Sequence, residues 1–427
     1  MSEAILSQRG SALAKRFEKS HLGAVLKVAR NPYDEGNEDG YINFGISDNY
    51  AMQGEMTKYI NEHIHIEKLS LTYGEAPWGP RRLRAAMAKH MTTYFQPIEP
   101  IDPDGIICVN GVTSLVEMLA WILADPGDGI LLPRPIYQAF IDDFGLKGGC
   151  RPVLVGFQGR DQFAPDAARA YEEAIVEARE KGVAVKVFIL CNPHNPLGRC
   201  YPRETVIELM KVCARHKIHI ISDEIYALSK YQSTDSNAVP FESVLSWDFS
   251  PYIDKDYVHV AYGMSKDLAS SGLRLGTLYT TNRPLLAALQ GISRFHSASS
   301  LAITASTLIL EDEAYVARFA AKVQTTLSEC VRIAAETFTR EGIPFADGTS
   351  AGFFLWVDMR QFLPKDVDGW EGEKQLAARM VEKKVYMTPG AQLSSEEPGW
   401  FRIIFSHERK TLVEGLRRVI LAVRAGT

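Results

Sequence analysis

The chain has 427 residues, 47 Lys and Arg against 52 Asp and Glu, a formal net charge of −5, and is 46% hydrophobic. That is enough apolar material for two packed lobes or one very large domain, while dispersed cations leave no nucleic-acid or anionic-membrane footprint. No apolar run approaches the roughly 18 residues of a membrane span, Met1 to Phe17 lacks the apolar core of a signal peptide, and six scattered cysteines without a CxxC pair read as reduced thiols, so a cytoplasmic protein without a metal site is expected.

Residues 1–50 read as an N-terminal arm. Its helix is expected to be capped by Ser11 and to run to about Val28, before Asn31-Pro32-Tyr33 and a polar loop from Asp34 to Gly40. A short strand then leads into Gly45-Ile46-Ser47-Asp48-Asn49, a turn whose backbone can approach a small ligand or simply leave the strand. Residues 51–314 read as a large α/β domain. After the loop Tyr73 to Gly79, apolar Leu83, Ala86, Met87 and Met91 predict a helix over Arg81 to Tyr94. The strand Gly105 to Val109 runs into Asn110-Gly111-Val112-Thr113-Ser114 and a helix from Leu115 to Leu123. A helix N-terminus can receive a phosphate there, although any strand-to-helix junction capped by a hydroxyl looks alike.

A strand over Gly129 to Leu132 leads to the stiff turn Pro133-Arg134-Pro135-Ile136-Tyr137. The continuous apolar run Val187 to Cys191 suits a strand buried on both faces and ends in Asn192-Pro193-His194-Asn195-Pro196-Leu197-Gly198. A helix from Glu204 to Ala214 precedes the strand Ile218 to Ser222, which ends in Asp223-Glu224-Ile225-Tyr226. The strand Tyr257 to Ala261 delivers Lys266 at its carboxyl end, and Arg274 follows eight residues later. Residues 285–313 read as helical with Ser-rich loops near Arg294. Residues 315–427 read as a smaller α+β domain: a long helix to about Arg340, strands over Gly352 to Val357 and Trp400 to Phe405, a helix over Lys374 to Lys384, and a turn at Met387-Thr388-Pro389-Gly390.

Every polar cluster of the large domain thus falls at the carboxyl end of a strand in a doubly wound sheet, where ligands bind. Desolvation makes a pocket lysine a neutral amine able to join an aldehyde, and an arginine grips a phosphate with two hydrogen bonds. Together they point to pyridoxal 5'-phosphate. Lys266 would carry the aldehyde, with Val112, Thr113, Ser114, Ser265 and Arg274 around the phosphate. Asp223 would partner the ring nitrogen, Asn195 and Tyr226 the 3'-oxygen, and Tyr137 the ring face. Arg402, a charge inside an apolar strand, suits a substrate carboxylate or else the solvent face of an edge strand. Singly, each residue has an ordinary reading; Lys266 could be a surface lysine.

The segments Asn192 to Gly198, Ser222 to Tyr226, Ser265-Lys266-Asp267 and Gly272 to Gly276 resemble the signature of fold-type I pyridoxal-phosphate enzymes of the class I/II aminotransferase family. Asn31-Pro32-Tyr33, Ala124 to Asp128, His216 to Tyr226 and Glu397 to Arg402 are similar to its 1-aminocyclopropane-1-carboxylate (ACC) synthase branch. The resemblance implies the aspartate aminotransferase-like fold and a homodimer sharing its active site, with Tyr73 as the candidate residue lent to the partner's cofactor phosphate. It also implies attack on an α-amino acid through an external aldimine and a Cα carbanion. Carbon–sulfur cleavage on S-adenosylmethionine or a cysteine conjugate, in specialised metabolism, is expected first. Aminotransfer to a 2-oxo acid is the alternative, and a non-catalytic cofactor-binding scaffold the third. Ile46, Ser47 and Asp48, with Asn195, would meet the substrate. The chain departs from the branch at Gly263, where a serine is usual, at Asp48, where a glutamate is usual, and at Glu75 to Trp78.

Overall fold

Most strands of the large sheet fall on the apolar runs of the sequence. The computed structural model describes residues 5–18, 22–233 and 235–425. Its strands are β1 Ile42–Asn43, β2 Ile106–Val109, β3 Gly129–Pro133, β4 Arg151–Val155, β5 Val185–Cys191, β6 His219–Asp223, β7 Val258–Gly263, β8 Gly276–Tyr279, β9 Phe354–Asp358, β10 Val385–Tyr386, β11 Thr388–Pro389 and β12 Trp400–Ile404.

Seven of them form one sheet in the order β2-β8-β7-β6-β5-β3-β4. β7, β6, β5, β3 and β4 are mutually parallel, and β8 runs antiparallel to β2 and β7. Helices on both faces remove the central strands from water, so Ile189, Leu190, Ile220, Ile221, Val260 and Ala261 are all buried. Each buried valine, leucine or isoleucine contributes about 1.5–3 kcal/mol. Register matters more for function. Cys191 is level with Asp223, and Asp223 with Ala261. The segments leaving β5, β6 and β7 therefore emerge side by side at one edge.

A second, antiparallel sheet has the order β11-β12-β9 and places Arg402 opposite both Thr388 and Trp356. Its buried side chains share one apolar cluster with those of the helices Glu313–Arg340 and Arg409–Arg424. β1 pairs in parallel with β10, and Phe44 continues that edge: its N–H donates to Tyr386 O at 2.8 Å and its carbonyl accepts from Ile404 N at 2.8 Å. Residues 45–49 are thereby threaded toward the large sheet. The Phe44 ring presses on Gly415, where a Cβ would sit 2.2 Å from it.

Several expectations need correction. Ser11 lies inside the helix Gln8–Glu18; Ser7 caps it instead, accepting from Gly10 N at 3.1 Å. The arm holds two helices, the second Leu22–Arg30, and residues 19–21 between them lie outside the described residues. Helix Gly111–Leu123 starts earlier than its apolar run, so Val112, Thr113 and Ser114 form its first turn, and Gly111 at its start takes φ +83°, which glycine tolerates. Met387 to Gly390 is not simply a turn, since β11 pairs with β12. Residues 285–313 are two helices, Arg283–Ile292 and Ser300–Glu311. The helices Tyr50–His63, Ala139–Gly145, Ala168–Glu180 and Arg409–Arg424, and strands β4 and β8, were not anticipated. Among the described residues no helix is long and apolar enough to cross a membrane, and no acidic, His or Cys cluster could hold a metal ion.

Candidate active site

Where β3, β5, β6 and β7 end, a cavity of about 280 Å³ opens between the large sheet, residues 45–47 and Arg402. Lys266 sits in the short helix Met264–Asp267 that continues β7, not on the strand itself. Its Nζ donates to the carbonyl of Ser47 and lies 4.0 Å from Asp48 Oδ1. Desolvation pulls its pKa down from 10.5 to about 8, against a pull upward from Asp48; Arg402 and Arg274 lower it further and Asp223 raises it. A minority of this amine is already neutral near physiological pH, far more than for an exposed lysine, as a nucleophile or base requires.

Asp223 ends β6 with its carboxyl buried. Its side-chain hydrogen bond is from Ile225 N at 3.3 Å, and burial pushes its pKa up to about 7. Tyr226, also buried, shares a hydrogen bond of 2.8 Å with Ser47 Oγ, and desolvation raises its phenol pKa. Arg402 is 3% exposed and pairs with no carboxylate among the described residues. It donates to Asn195 Oδ1 at 2.8 Å, to the Gly45 carbonyl, and to Thr388 Oγ1 at 3.3 Å, while its Nε is buried without a partner. The sequence left open whether Arg402 faced solvent. Its strand register turns it inward. Tyr137 lines the cavity edge-on to Phe140 at 5.4 Å between ring centroids.

The start of helix Gly111–Leu123 is tightly cradled. Its N-cap Asn110 makes no side-chain capping bond. A Cβ at Gly276 would lie 2.3 Å from Gly111 C and 2.4 Å from Val112 N, and one at Gly111 would lie 2.5 Å from an Arg274 guanidinium nitrogen. Val112, Thr113, Ser265 and Arg274 border the cavity. Uncapped amides beside a guanidinium make an anion site. Arg274 takes φ +54° and also donates to the carbonyl of Ser271 at 2.9 Å. A Cβ at Gly263 would lie 2.7 Å from the carbonyl of Leu275, so a serine there would not fit this backbone.

The structure therefore gathers Ile46, Ser47, Val112, Thr113, Tyr137, Asn195, Asp223, Tyr226, Ser265, Lys266, Arg274 and Arg402 around one cavity. It does not gather all the expected residues. Ser114, in the same helical turn, is not on the wall. Asp48 reaches Lys266 from beside the cavity, and Tyr73 stands fully exposed away from it. Sequence reasoning missed Gln138 and Asp143, which also line the wall, and Thr388, which holds the Gly45 carbonyl at 3.1 Å. Asp143 follows Tyr137 by six residues on an unanticipated helix, and burial raises its pKa to about 7. No local signal marks Thr388, which meets Gly45 only through the tertiary fold.

The family profile for class I and II aminotransferases matches residues 39–419. A human relative named 1-aminocyclopropane-1-carboxylate synthase-like protein 1 is 33% identical over 97% of this chain and 82% of its own length. The rice 1-aminocyclopropane-1-carboxylate synthase 4 is 33% identical over 98% of this chain and 89% of its own. A mouse relative named a probable inactive 1-aminocyclopropane-1-carboxylate synthase-like protein 2 is 29% identical over 95% of this chain and 70% of its own. Among solved structures, an aspartate aminotransferase from Thermus thermophilus with maleate superposes with a TM-score of 0.75, at 19% identity, over 98% of this chain and 100% of that one. Sequence match and shared architecture agree: this chain belongs to the class I and II aminotransferase family and is similar along most of its length to the ACC synthase-like proteins.

Proposed function

We propose that this protein binds pyridoxal 5'-phosphate and cleaves a carbon–sulfur bond in an α-amino acid, S-adenosylmethionine or a cysteine conjugate, as a cytoplasmic homodimer with a shared site. Three features support the fit of the cofactor. Asp223 is a buried carboxylate that no cation among the described residues contacts directly. The first turn of helix Gly111–Leu123 is an uncapped anion cradle beside Arg274. The Lys266 amine is desolvated between them. Asp223 would hold the ring nitrogen, Asn195 and Tyr226 the 3'-oxygen, Tyr137 the ring face, and Val112, Thr113, Ser265 and Arg274 the phosphate. Bound, the cofactor would supply an electron-withdrawing ring that stabilises negative charge at the substrate α-carbon.

The chain's own residues do the rest. Arg402 has a buried Nε without a partner, so an α-carboxylate would satisfy it and be oriented by it. Lys266 Nζ, neutral in part near pH 8, would take the proton from the α-carbon. Asp48, beside the cavity and 4.0 Å from that amine, brings a negative charge close to the reacting centre. That charge favours a sulfonium side chain over a neutral one, and it is the observation that carries S-adenosylmethionine ahead of a cysteine conjugate.

Purified protein reconstituted with pyridoxal phosphate is incubated with S-adenosylmethionine, with cysteine conjugates, and with common amino acids plus 2-oxoglutarate, then followed by mass spectrometry. Release of methylthioadenosine or a thiol is expected. Formation of glutamate instead would establish aminotransfer. No turnover despite a bound cofactor would establish the scaffold, a reading that the relative named as probably inactive keeps in view.

A further inference from the structure

The residue after the reactive lysine is a buried acid that touches nothing in the cavity. Asp267 is wholly buried at the end of the helix Met264–Asp267. One of its oxygens accepts from Leu228 N at 2.9 Å and the other from Ser229 Oγ. Tyr262 also bonds to it, and Tyr262 OH lies 3.1 Å from His90 Nε2. Burial pushes the Asp267 carboxyl up to about 7, and these donors pull it back toward the ionised form.

Leu228 and Ser229 belong to the turn that presents Tyr226, and Ser229 N donates to Tyr226 O at 3.0 Å. Tyr226 OH meets Ser47 Oγ at 2.8 Å, and the Ser47 carbonyl accepts from Lys266 Nζ. A closed circuit results. It runs from the Lys266 backbone through Asp267 to the Tyr226 turn, then across Ser47 and back to the Lys266 amine. Two ends of the cavity wall are thereby set at a common distance.

We propose that Asp267 is a positioning residue that clamps the Lys266 segment to the Tyr226 turn and so keeps the lysine amine against Ser47 inside the cavity. It rests on the reading of Lys266 as the reacting amine. Asp267→Asn leaves the side chain the same size but offers one acceptor oxygen where two are used, so one of the Leu228 and Ser229 donors loses its partner. A freed lysine gains water, and hydration returns its affinity for protons. The charged groups that act on Lys266 are Asp48, Arg402, Arg274 and Asp223. Removing a further negative charge would by itself lower the lysine's proton affinity. Positioning and plain electrostatics therefore predict opposite signs.

The test labels Lys266 in the full chain with pyridoxal phosphate and borohydride across pH 6–10 and counts the product by mass spectrometry. In Asp267→Asn the midpoint moves up by about one unit, so labelling at pH 8 falls roughly fivefold. Ser229→Ala removes one donor and leaves the charge, and moves the midpoint the same way by less. Thermal melts run alongside; a merely structural role lowers the melting temperature without moving the midpoint. If Asp267→Asn does not fold, Ser229→Ala and Tyr262→Phe carry the measurement. Midpoints unchanged or lowered in the folded variants overturn the proposal alone. Wild-type protein that never labels at Lys266 overturns the reading of the amine and this proposal with it.

Discussion

Two opposing effects set the charge of Lys266, and their balance can be moved one residue at a time. Desolvation is the larger and brings the amine down to about 8; Asp48 at 4.0 Å is the largest opposing influence. Below that midpoint the amine keeps its proton, and above it the free base dominates, so reactivity rises as pH rises through about 8. Replacing Asp48 with asparagine removes the counter-charge and lowers the midpoint by up to about one unit. The measurement is the pH profile of Lys266 acylation in the protein without cofactor. A midpoint that rises in Asp48→Asn would contradict this assignment of charges. Most of this chemistry was legible from local sequence, because Lys266, Asp223 and Asn195 each follow an apolar run that had to be a strand. Its strength was not legible. Desolvation depends on Ser47 and Arg402 closing the cavity from distant parts of the chain.

Among elements, the junction between β2, β8 and the helix Gly111–Leu123 is tightly built. Gly276 lets the sheet pass against the helix start, where any Cβ would overlap the Gly111 carbonyl carbon and the Val112 amide nitrogen. Gly276→Ala must push that start away, at about 1–3 kcal/mol for an overpacked contact. The melting temperature falls accordingly. Stabilisation by added inorganic phosphate, which requires the aligned amides, is lost with it. Retained phosphate stabilisation in a folded Gly276→Ala protein would remove this turn from the anion site. Residues 110–114 announced the junction by their glycine and hydroxyls. The role of Gly276 could not be read from spacing, since β8 returns antiparallel from more than 160 residues along the chain.

At the scale of the whole molecule, residues from both ends of the chain complete the cavity. Exposed Tyr73 lies in a run with exposed Ile66, Leu69 and Leu71, beside Ser300, whose hydroxyl donates to the Thr72 carbonyl at 2.7 Å. An exposed apolar run of this kind suits burial against a second copy. If each site draws Tyr73 from its partner, neither Lys266→Ala nor Tyr73→Ala homodimers work well. Subunits mixed after reversible unfolding should recover about a quarter of wild-type activity, because half of the dimers then carry one complete site. No gain on mixing would place Tyr73 outside the partner's site.

The sequence by itself determined the doubly wound class, the strand ends and the identity of the residues they present. These follow from local hydrophobic pattern and turn chemistry. It also carried the family, through short motifs within single segments. Only the tertiary structure decided which way Arg402 faces and what it meets. Asn195, Thr388 and Gly45 reach its guanidinium from separate segments, and a strand's two faces are equivalent until another element covers one of them.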